Sequence, residues 1–502
     1  NHILFQFCGS LPPSLPRFLP PHPLPLPSPS PMSLQTLNPA SVSRAPLPLP
    51  RCHPPLPFPD LPPRRRVAGG SVRPRAAVAV AVSGAVNDEA RWRPPPEGGV
   101  GKETDLATLG NLCVDVVLSV PCLPPAQRDE RLAYMEGLAA SPPDQKYWEA
   151  GGNCNLAFAA ARLGLRCSAL GHVGEEVYGK FLLDVLEAEG ISVVGMLENT
   201  DVTACRHAYE TLLCWVLVDP FQRHGFCSRA DFSKEPAFSW IQKLPAETKT
   251  AIHHSKILFS NGYAFDELSP DVIASAIDCA IDTGTSVFFD PGPRGRSLLH
   301  GNLDEQRALE HALRLSDVLL LTSDEAESLT NIQNPIEAGQ ELLRRGTRTK
   351  WVVVKMGSKG SIMITDSVVS CAPSFKIRVV DTVGCGDSFT AAIAFGFLHN
   401  LPAISTLALA NAVGAATATG CGAGRNVAHL DKVLKLLRES DLNEEETTWT
   451  ELIEGCSACP EVSVLSKTPI NGRFVNVIPV CGVVSDLLSM LEATPERSTV
   501  QA

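Results

Sequence analysis

Two glycines and an aspartate stand within four residues of one another, in a pattern that could bind an anion and accept a proton. The segment is Gly384-Cys385-Gly386-Asp387, and an Ala-rich stretch typical of a helix follows it. Glycines let the backbone approach a ligand closely, and free amides at a helix N-terminus favour an anion. A carboxylate beside a phosphate would repel it unless a cation or a hydroxyl group lay between them, which is the geometry of a general base in phosphoryl transfer. A carboxylate that only stabilises the helix start is the other interpretation.

A second glycine turn could bind hydroxyl groups. Gly151 and Gly152 come shortly before Asn155 in the chain. The turn would expose backbone amides, and the Asn side chain offers both a donor and an acceptor to a polyol. A plain turn followed by a helix N-cap would give the same pattern, so both interpretations stay open.

Short apolar runs alternate with helical patterns over the middle of the chain. Strands are predicted at 106–120, 257–259, 287–289, 318–321, 351–354 and 375–380. Helices are predicted at 155–163, 270–282, 304–315, 335–345, 387–399, 402–419 and 430–439. Strands that alternate with helices form βαβ units. The predicted fold class is therefore α/β, a doubly wound and mostly parallel sheet with helices on both faces.

Two further regions depart from this alternation. The apolar segment 207–219 has no helix of its own before it and predicts a strand of a small accessory sheet. Residues 441–502 form a C-terminal extension in which the patterns are too weak to assign helices or strands. It contains Cys456 and Cys459. A zinc site needs a second pair of cysteines or histidines nearby, and none lies at the usual spacing, so two ordinary thiols are favoured.

The N-terminal leader, residues 1–87, is rich in proline. Proline cannot continue a helix or pair in a central strand, so we expect this leader to be disordered. From Met32 onward it contains Ser and Arg but almost no acidic residues, which is typical of an organelle transit peptide. A chloroplast location is the prediction, and the cytoplasm is the alternative if the leader is only a disordered tail.

The overall composition narrows the classes of partner. The net charge of −11 disfavours nucleic acid, because phosphate backbones require clustered cations. No uncharged apolar run reaches the ~18 residues that a membrane-spanning helix needs, so no membrane partner is predicted. The 16 cysteines are scattered and predict reduced thiols rather than a disulfide framework.

The segment 381–387 resembles the second signature of the ribokinase (PfkB) family of carbohydrate and nucleoside kinases, Asp-Thr-x-Gly-Ala-Gly-Asp, with Cys385 in place of Ala. The glycine turn before Asn155 resembles the first signature of that family, with a shorter gap between the glycines and the asparagine. Similar segments follow in the family's order over about 105–440. The resemblance implies a ribokinase-like domain with a small β-sheet lid, whose candidate segments are 122–150 and 204–220.

The resemblance also implies a role for each matching residue. Asp387 would be the general base, and the anion hole would consist of Gly384, Cys385 and Gly386. The substrate would be bound by Asp115, Gly151, Gly152 and Asn155. The nucleotide would be bound by Asp324, Lys355, Gly357, Ser358, Gly360 and Asn411. Glu327 would organise Mg²⁺ through water, and Asp381 would face a monovalent cation.

The expected activity is ATP-dependent phosphorylation of a hydroxyl group, with ATP and Mg²⁺ as cofactors and K⁺ as the monovalent cation that the family admits. The acceptor is a sugar or a related small molecule. A nucleoside is the alternative, stacked on Tyr147, Trp148 or Trp215.

A catalytically inactive scaffold protein in an organelle complex is the rival from another class. It is supported by three departures from the family pattern, Cys113, Asp324 and Cys385, and by the shortened first signature. A homodimer through the lid is also expected, since an exposed sheet edge can pair with a second copy.

Overall fold

The computed structural model describes residues 101–140, 143–196, 210–221, 223–233, 235–444, 446–456, 461–467 and 475–493. The strands are β1 Thr104–Leu109, β2 Leu112–Ser119, β3 Trp148–Gly152, β4 Cys167–Gly171, β5 Ser192–Gly195, β6 Leu212–Val218, β7 His224–Ser228, β8 Ser255–Asn261, β9 Ser286–Asp290, β10 Val318–Thr322, β11 Trp351–Lys355, β12 Ser361–Ile364, β13 Val368–Ala372, β14 Glu461–Ser466 and β15 Val475–Pro479. The predicted leader, 1–87, and Cys459 lie outside the described residues, so the plastid location stays a prediction.

The helices are α1 Arg128–Ala139, α2 Asn153–Arg162, α3 Val177–Ala188, α4 Ala246–His253, α5 Pro270–Asp282, α6 Arg294–Leu299, α7 Leu303–Leu315, α8 Ser323–Thr330, α9 Pro335–Arg345, α10 Cys385–Leu398, α11 Ala403–Ala418, α12 Leu430–Glu439, α13 Glu446–Glu454 and α14 Val480–Ala493. The bounds predicted for α5, α9 and α12 are confirmed to the residue. None of the helices in the described part of the chain is long and apolar enough to cross a membrane.

The main sheet has the order β15-β14-β13-β12-β11-β10-β9-β8-β1-β4-β5. Its strands are parallel except β12, which runs antiparallel to both β11 and β13. Neighbouring residues of one strand face opposite sides: Phe288 packs into one hydrophobic cluster and Phe289 into the other. A sheet buried on both faces by helices is the predicted doubly wound architecture, which is confirmed.

A separate four-stranded sheet, in the order β3-β2-β6-β7, forms the lid. The single strand predicted at 106–120 is wrong, because the chain leaves the main sheet at Gly110 and Asn111 and enters the lid at Leu112. Both turn residues have positive φ, 67° and 54°, which interrupts the extended backbone. The strand predicted at 207–219 appears as β6, although residues 207–209 lie outside the described residues.

Two other expectations differ from the structure. The segment 122–150 contributes only β3 to the lid sheet, since 128–139 form the helix α1. The strand predicted at 375–380 is wrong: only Phe375 forms a bridge, and it pairs with Leu442 rather than with the main sheet. The amide of Lys376 donates to the carbonyl of Asp441 (2.7 Å), so the segment is held by the chain that follows α12.

The C-terminal extension, for which no structure was predicted, continues the main sheet. β14 pairs in parallel with β13, and β15 pairs in parallel with β14. The apolar residues Val462, Val464 and Trp449 are buried in the same cluster as the neighbouring strands. The extension therefore shares the core of the domain.

Candidate active site

The glycine-rich turn lies at the start of α10, which begins at Cys385. Gly384 has a φ of 76°, and a Cβ there would lie 2.8 Å from the Cβ of Ala423, so only glycine fits. The Cys385 amide donates a 3.3 Å hydrogen bond to the Thr382 carbonyl, whereas the Gly384 and Gly386 amides have no protein acceptor in the described part of the chain. The anion hole predicted from three residues thus has two open amides.

Asp387 lies beside these amides, in the first turn of α10. Its Oδ2 accepts a 3.2 Å hydrogen bond from the Asn155 Nδ2. Surrounding protein removes water from the carboxylate, and this desolvation raises the pKa of Asp387 to about 6, against the opposing effects of Asn155 and Lys355. The carboxylate is therefore ionised at neutral pH and still basic enough to accept a proton.

Two cavities meet at this turn. One has a volume of about 520 Å³, and its lining includes Asp115, Gly152, Asn155 and Asp387. The other has a volume of about 540 Å³, and its lining includes Lys355, Gly357, Ser358, Gly360 and Asn411. Thr382 and Gly386 line both cavities. The predicted base and anion hole thus lie where the contents of the two cavities would meet.

Asp115 is buried on β2 and forms one wall of the first cavity. Burial raises its pKa to about 7, and the carboxylates of Asp387 and Glu149 act in the same direction. The thiol of Cys113 donates a 3.5 Å hydrogen bond to its Oδ1, so the cysteine retains a weak polar contact. Gly151 does not itself line the cavity; a Cβ there would overlap the Asp115 carboxylate, so its predicted binding role becomes one of making room.

Sequence reasoning missed Glu267, a buried carboxylate in the same cavity. Its Oε2 accepts a 2.6 Å hydrogen bond from the Asn111 amide. Burial raises the pKa of Glu267 to about 8. The two residues are 156 positions apart, and no local pattern marks Glu267, so only the fold brings it to the site.

Charged and aromatic residues line the mouth of this cavity, and sequence reasoning missed most of them. The Arg294 guanidinium lies 2.8 Å from Asp266 and 3.2 Å from Asp231. It also lies 5.5 Å from the centre of the Tyr263 ring, within range of a cation–π contact. The two carboxylate partners of Arg294 come from distant loops, so no local pattern predicts this group.

Lys355, which lines the second cavity, forms a partly buried ion pair of 2.5 Å with Asp290. Burial by itself lowers the pKa of Lys355, but Asp290 and Glu325 outweigh this effect and raise it overall. The amine therefore stays protonated. A Cβ at Gly386 would lie 3.9 Å from the Lys355 Nζ, so this positive charge lies close to the anion hole.

Glu325, rather than Glu327, is the carboxylate that α8 directs toward this ion pair. Asp324 and Glu327 are exposed, and neither lines the two cavities. Glu325 accepts a 2.7 Å hydrogen bond from the Thr322 amide. Burial and Asp290 raise the pKa of Glu325, while Lys355 lowers it. Asp324 and Glu327 point to solvent, and their predicted roles in nucleotide and Mg²⁺ binding stay predictions.

The side chain of Asn411 lines the second cavity but is committed to the protein. Its Oδ1 accepts a 3.0 Å hydrogen bond from Ser361, and its Nδ2 donates to the carbonyls of Ala372 (3.0 Å) and Pro373 (3.2 Å). Both hydrogens of its amide group are thus used within the protein. Its predicted role in nucleotide binding stays a prediction, for which it would act by shaping the cavity wall.

Asp381, the predicted ligand of a monovalent cation, is nearly fully buried. Its Oδ1 accepts a hydrogen bond from the Val383 amide (3.0 Å), and its Oδ2 accepts one from the Gly422 amide (2.7 Å). The Nε2 of His224, on β7 of the lid, lies 2.9 Å from the Oδ1. The described partners are all nitrogen groups, so a cation would have to share the carboxylate with them.

The cysteine at the anion hole does not disturb its charge. Burial, with the carboxylates of Asp381 and Asp387, raises the pKa of Cys385 to about 12. The thiol is therefore neutral at physiological pH, as alanine would be. This departure from the family pattern leaves the electrostatics of the site unchanged.

Comparison with known proteins places the chain in a family. The pfkB family carbohydrate kinase model matches residues 124–429. The chain is 25% identical to probable fructokinase-4 of Arabidopsis thaliana, over 64% of this chain and 93% of that protein. It is 24% identical to the aminoimidazole riboside kinase of Salmonella typhimurium, over 59% of this chain and 90% of that protein.

A solved structure shows the same fold. It is an E. coli protein assigned as ribokinase II, in complex with ATP and Mg²⁺, with a TM-score of 0.52 and 21% identity over 67% of this chain and 99% of that one. The family model covers more than half of the chain and includes the glycine-rich turn, Asp387 and the Lys355 loop. The chain therefore belongs to the pfkB family of carbohydrate kinases.

Proposed function

We propose that this kinase transfers the γ-phosphate of ATP to a hydroxyl group of an uncharged polyhydroxy compound, with Asp387 as the general base. The observation that carries the proposal is the position of Asp387 and the open amides of Gly384 and Gly386, where two cavities meet. A hydroxyl group in the first cavity and a terminal phosphate in the second would approach each other at this turn. In-line transfer needs this arrangement.

The residues divide the chemistry between them. Asp387 accepts the proton of the attacking hydroxyl group, and its pKa of about 6 suits that task near neutral pH. The Gly384 and Gly386 amides, together with the Lys355 ammonium, stabilise negative charge on the transferring group. Asn155 holds the base in place through its hydrogen bond to Oδ2. Closure of the lid over the first cavity excludes water, which would otherwise compete as acceptor.

Carboxylates beside Lys355, which lines the second cavity, would be able to hold Mg²⁺ next to a nucleotide. Magnesium is bound in proteins by one or two carboxylates together with substrate phosphates. Asp290 and Glu325 are the carboxylates beside Lys355, and both interact electrostatically with it. We therefore assign Mg²⁺ to Glu325 and Asp290 in place of Glu327. The metal would neutralise charge on the β- and γ-phosphates.

The charges in the first cavity favour an uncharged acceptor. The cavity is lined by five acidic side chains, of which Glu267, with a pKa of about 8, is mostly uncharged near neutral pH: Asp115, Asp231, Asp266, Glu267 and Asp387. Its guanidinium, Arg294, is already paired with two of them. A sugar acid or a sugar phosphate would meet net negative charge, whereas hydroxyl groups can donate to carboxylates. A neutral sugar is thus the preferred substrate.

A nucleoside is the second candidate. Phe226 of the lid and Tyr263 are 47% and 38% exposed, and both line an adjoining cavity of about 500 Å³ as well as the first cavity. Exposed aromatic faces can stack on a base. The aromatic residues predicted for this role are unsuitable: Trp148 and Trp215 are buried, and Tyr147 lines neither of these cavities. The relative named as a riboside kinase is consistent with this candidate.

The test is a panel of acceptors assayed with ATP and Mg²⁺, with and without K⁺. The panel contains neutral ketoses and pentoses, a nucleoside, a sugar acid and a sugar phosphate. Phosphorylation of a neutral acceptor is expected, and preference for the acid or the phosphate would contradict the charge argument. A folded protein that binds ATP but phosphorylates nothing would favour the inactive scaffold.

Replacement of Asp387 tests the base directly. Asp387→Asn keeps the shape of the side chain, and kcat should fall roughly 10²–10⁴-fold because proton transfer is lost. ATP binding, measured by calorimetry, should stay close to that of the unaltered protein. Turnover within a few-fold of the unaltered protein would refute the assignment of Asp387 as base.

A further inference from the structure

A histidine of the lid contacts the carboxylate that holds the anion-hole turn. His224 lies on β7, and its Nε2 is 2.9 Å from the Asp381 Oδ1, a close approach whose angle lies outside hydrogen-bond geometry. The His224 side chain is 15% exposed and the Asp381 side chain 5%, so the contact is shielded from water. We propose that His224 is a positioning residue that couples the closed lid to the catalytic base through Asp381, an inference that rests on the function proposed above.

The first step of the coupling is the Asp381 carboxylate. Its Oδ1, the atom beside His224, also accepts from the Val383 amide, directly before Gly384. Its Oδ2 accepts from the Gly422 amide, in a separate loop after α11. One carboxylate thus holds the anion-hole turn, the loop at 421–424 and the lid together.

The second step runs from that loop to the base. The Gly424 amide donates a 2.7 Å hydrogen bond to the Asn155 Oδ1, and the Asn155 Nδ2 donates to Asp387. Asn155 can reach both partners only when the loop is in place. A continuous series of short contacts therefore joins a lid residue to the carboxylate that accepts the proton.

A second lid contact supports this interpretation. Arg425, the residue after Gly424, pairs with Glu149 on β3 of the lid at 3.0 Å. The loop is therefore held directly by β3 and, through Asp381, by β7, the two edge strands of the lid sheet. When the lid moves away, both links are lost. The anion-hole turn, Asn155 and Asp387 would then be held in place only when the lid encloses the acceptor.

The experiment compares three single variants. His224→Ala removes the contact. His224→Gln keeps an amide nitrogen that can reach the Asp381 carboxylate. Arg223→Ala is the matched control, because Arg223 precedes His224, is 67% exposed at its side chain and pairs with Asp219 at the hairpin turn.

The activity readout is the ratio of acceptor phosphorylated to ATP consumed. In His224→Ala, kcat/KM for the acceptor should fall about 10- to 100-fold and a larger share of ATP should be lost to water, because the site is no longer aligned with lid closure. KM for ATP should change less than about twofold, since His224 is absent from the second cavity. His224→Gln should recover most of the activity, and Arg223→Ala should behave as the unaltered protein.

A double-mutant comparison shows whether the effect passes through Asp381. In an Asp381→Asn background, His224→Ala should lower kcat/KM for the acceptor by less than a further factor of about two. The effects of residues that act through one network are not additive. A loss in that background equal to the loss in the unaltered protein would overturn the proposal. Failure of His224→Gln to recover activity would overturn it as well.

Hydrogen exchange gives a readout that does not depend on activity. Exchange at the Gly422 and Gly424 amides should be about tenfold faster in His224→Ala than in the unaltered protein or Arg223→Ala, because Asp381, which accepts from the Gly422 amide, loses its contact with the lid. Unchanged exchange in His224→Ala would overturn the coupling even if the protein phosphorylated no acceptor. If exchange changes as expected but no acceptor is phosphorylated, the proposed function fails while the coupling stands.

Discussion

The hydrogen bond between Asn155 and Asp387 should be visible in the pH dependence of catalysis. Asp387 must be ionised to accept a proton, so activity is present above its pKa of about 6 and is lost as the pH falls through that value. The Asn155 Nδ2 stabilises the ionised form. Asn155→Ala should therefore raise the pKa and move the acid limb of the pH profile upward.

The size of the shift follows from the geometry. A hydrogen bond to a charged group contributes about 1.5–3 kcal/mol, and water entering from the cavity would replace part of it, which leaves about one pH unit. With the pKa moved from about 6 to about 7, the ionised fraction falls about twofold near pH 7 and about eightfold near pH 5.5. The loss caused by poorer substrate contact would be the same at each pH.

The assay is kcat/KM for the acceptor between about pH 5 and pH 9, where the carboxylate changes its charge. Asn261→Ala is the matched control, because Asn261 lines the same cavity and donates to Asn153 rather than contacting Asp387. The control should lose activity without a shift of the acid limb. An acid limb at the same pH in Asn155→Ala and the unaltered protein would refute the role of Asp387 or its dependence on Asn155.

The remaining predictions concern the room that Gly151 leaves for the Asp115 carboxylate and the carboxylate that binds Mg²⁺. Gly151→Ala should raise KM for the acceptor more than about tenfold and lower the free energy of unfolding by about 1–3 kcal/mol, because the new Cβ overlaps the Asp115 carboxylate; equal KM values would contradict it. Glu325→Gln should raise the Mg²⁺ concentration needed for half-maximal rate about tenfold, while Glu327→Gln should leave it unchanged, because only Glu325 lies beside Lys355 and Asp290. A magnesium titration of both variants distinguishes Glu325 from Glu327.

Helices with strong local signals could be predicted to the residue. α5 and α9 both begin with a proline at the first helical position, where its missing amide costs nothing. The glycine-rich turn was equally visible, because a positive φ at Gly384 demands a residue without a side chain. Local chemistry therefore sufficed for the element that carries the base.

The errors occurred where distant residues decide the outcome. Gly110 and Asn111 divide the predicted strand between two sheets, a choice made by the tertiary fold. The sequence also did not single out Glu325, because it does not fix which face of α8 lies toward the ion pair. Glu267 and His224 reach the site from elements with no motif of their own. The homodimer predicted through the lid stays a prediction.

The strands of the C-terminal extension have a consequence for shortened versions of the protein. A chain that ended near residue 440, shortly after the family match ends at 429, would leave the backbone of β13 unpaired along one side, and the apolar surface that Val462 and Val464 cover would be open to water. Such a bare strand edge recruits strands from other molecules. The excised kinase region alone should therefore aggregate, even though every residue of the two cavities except Asn443 would remain.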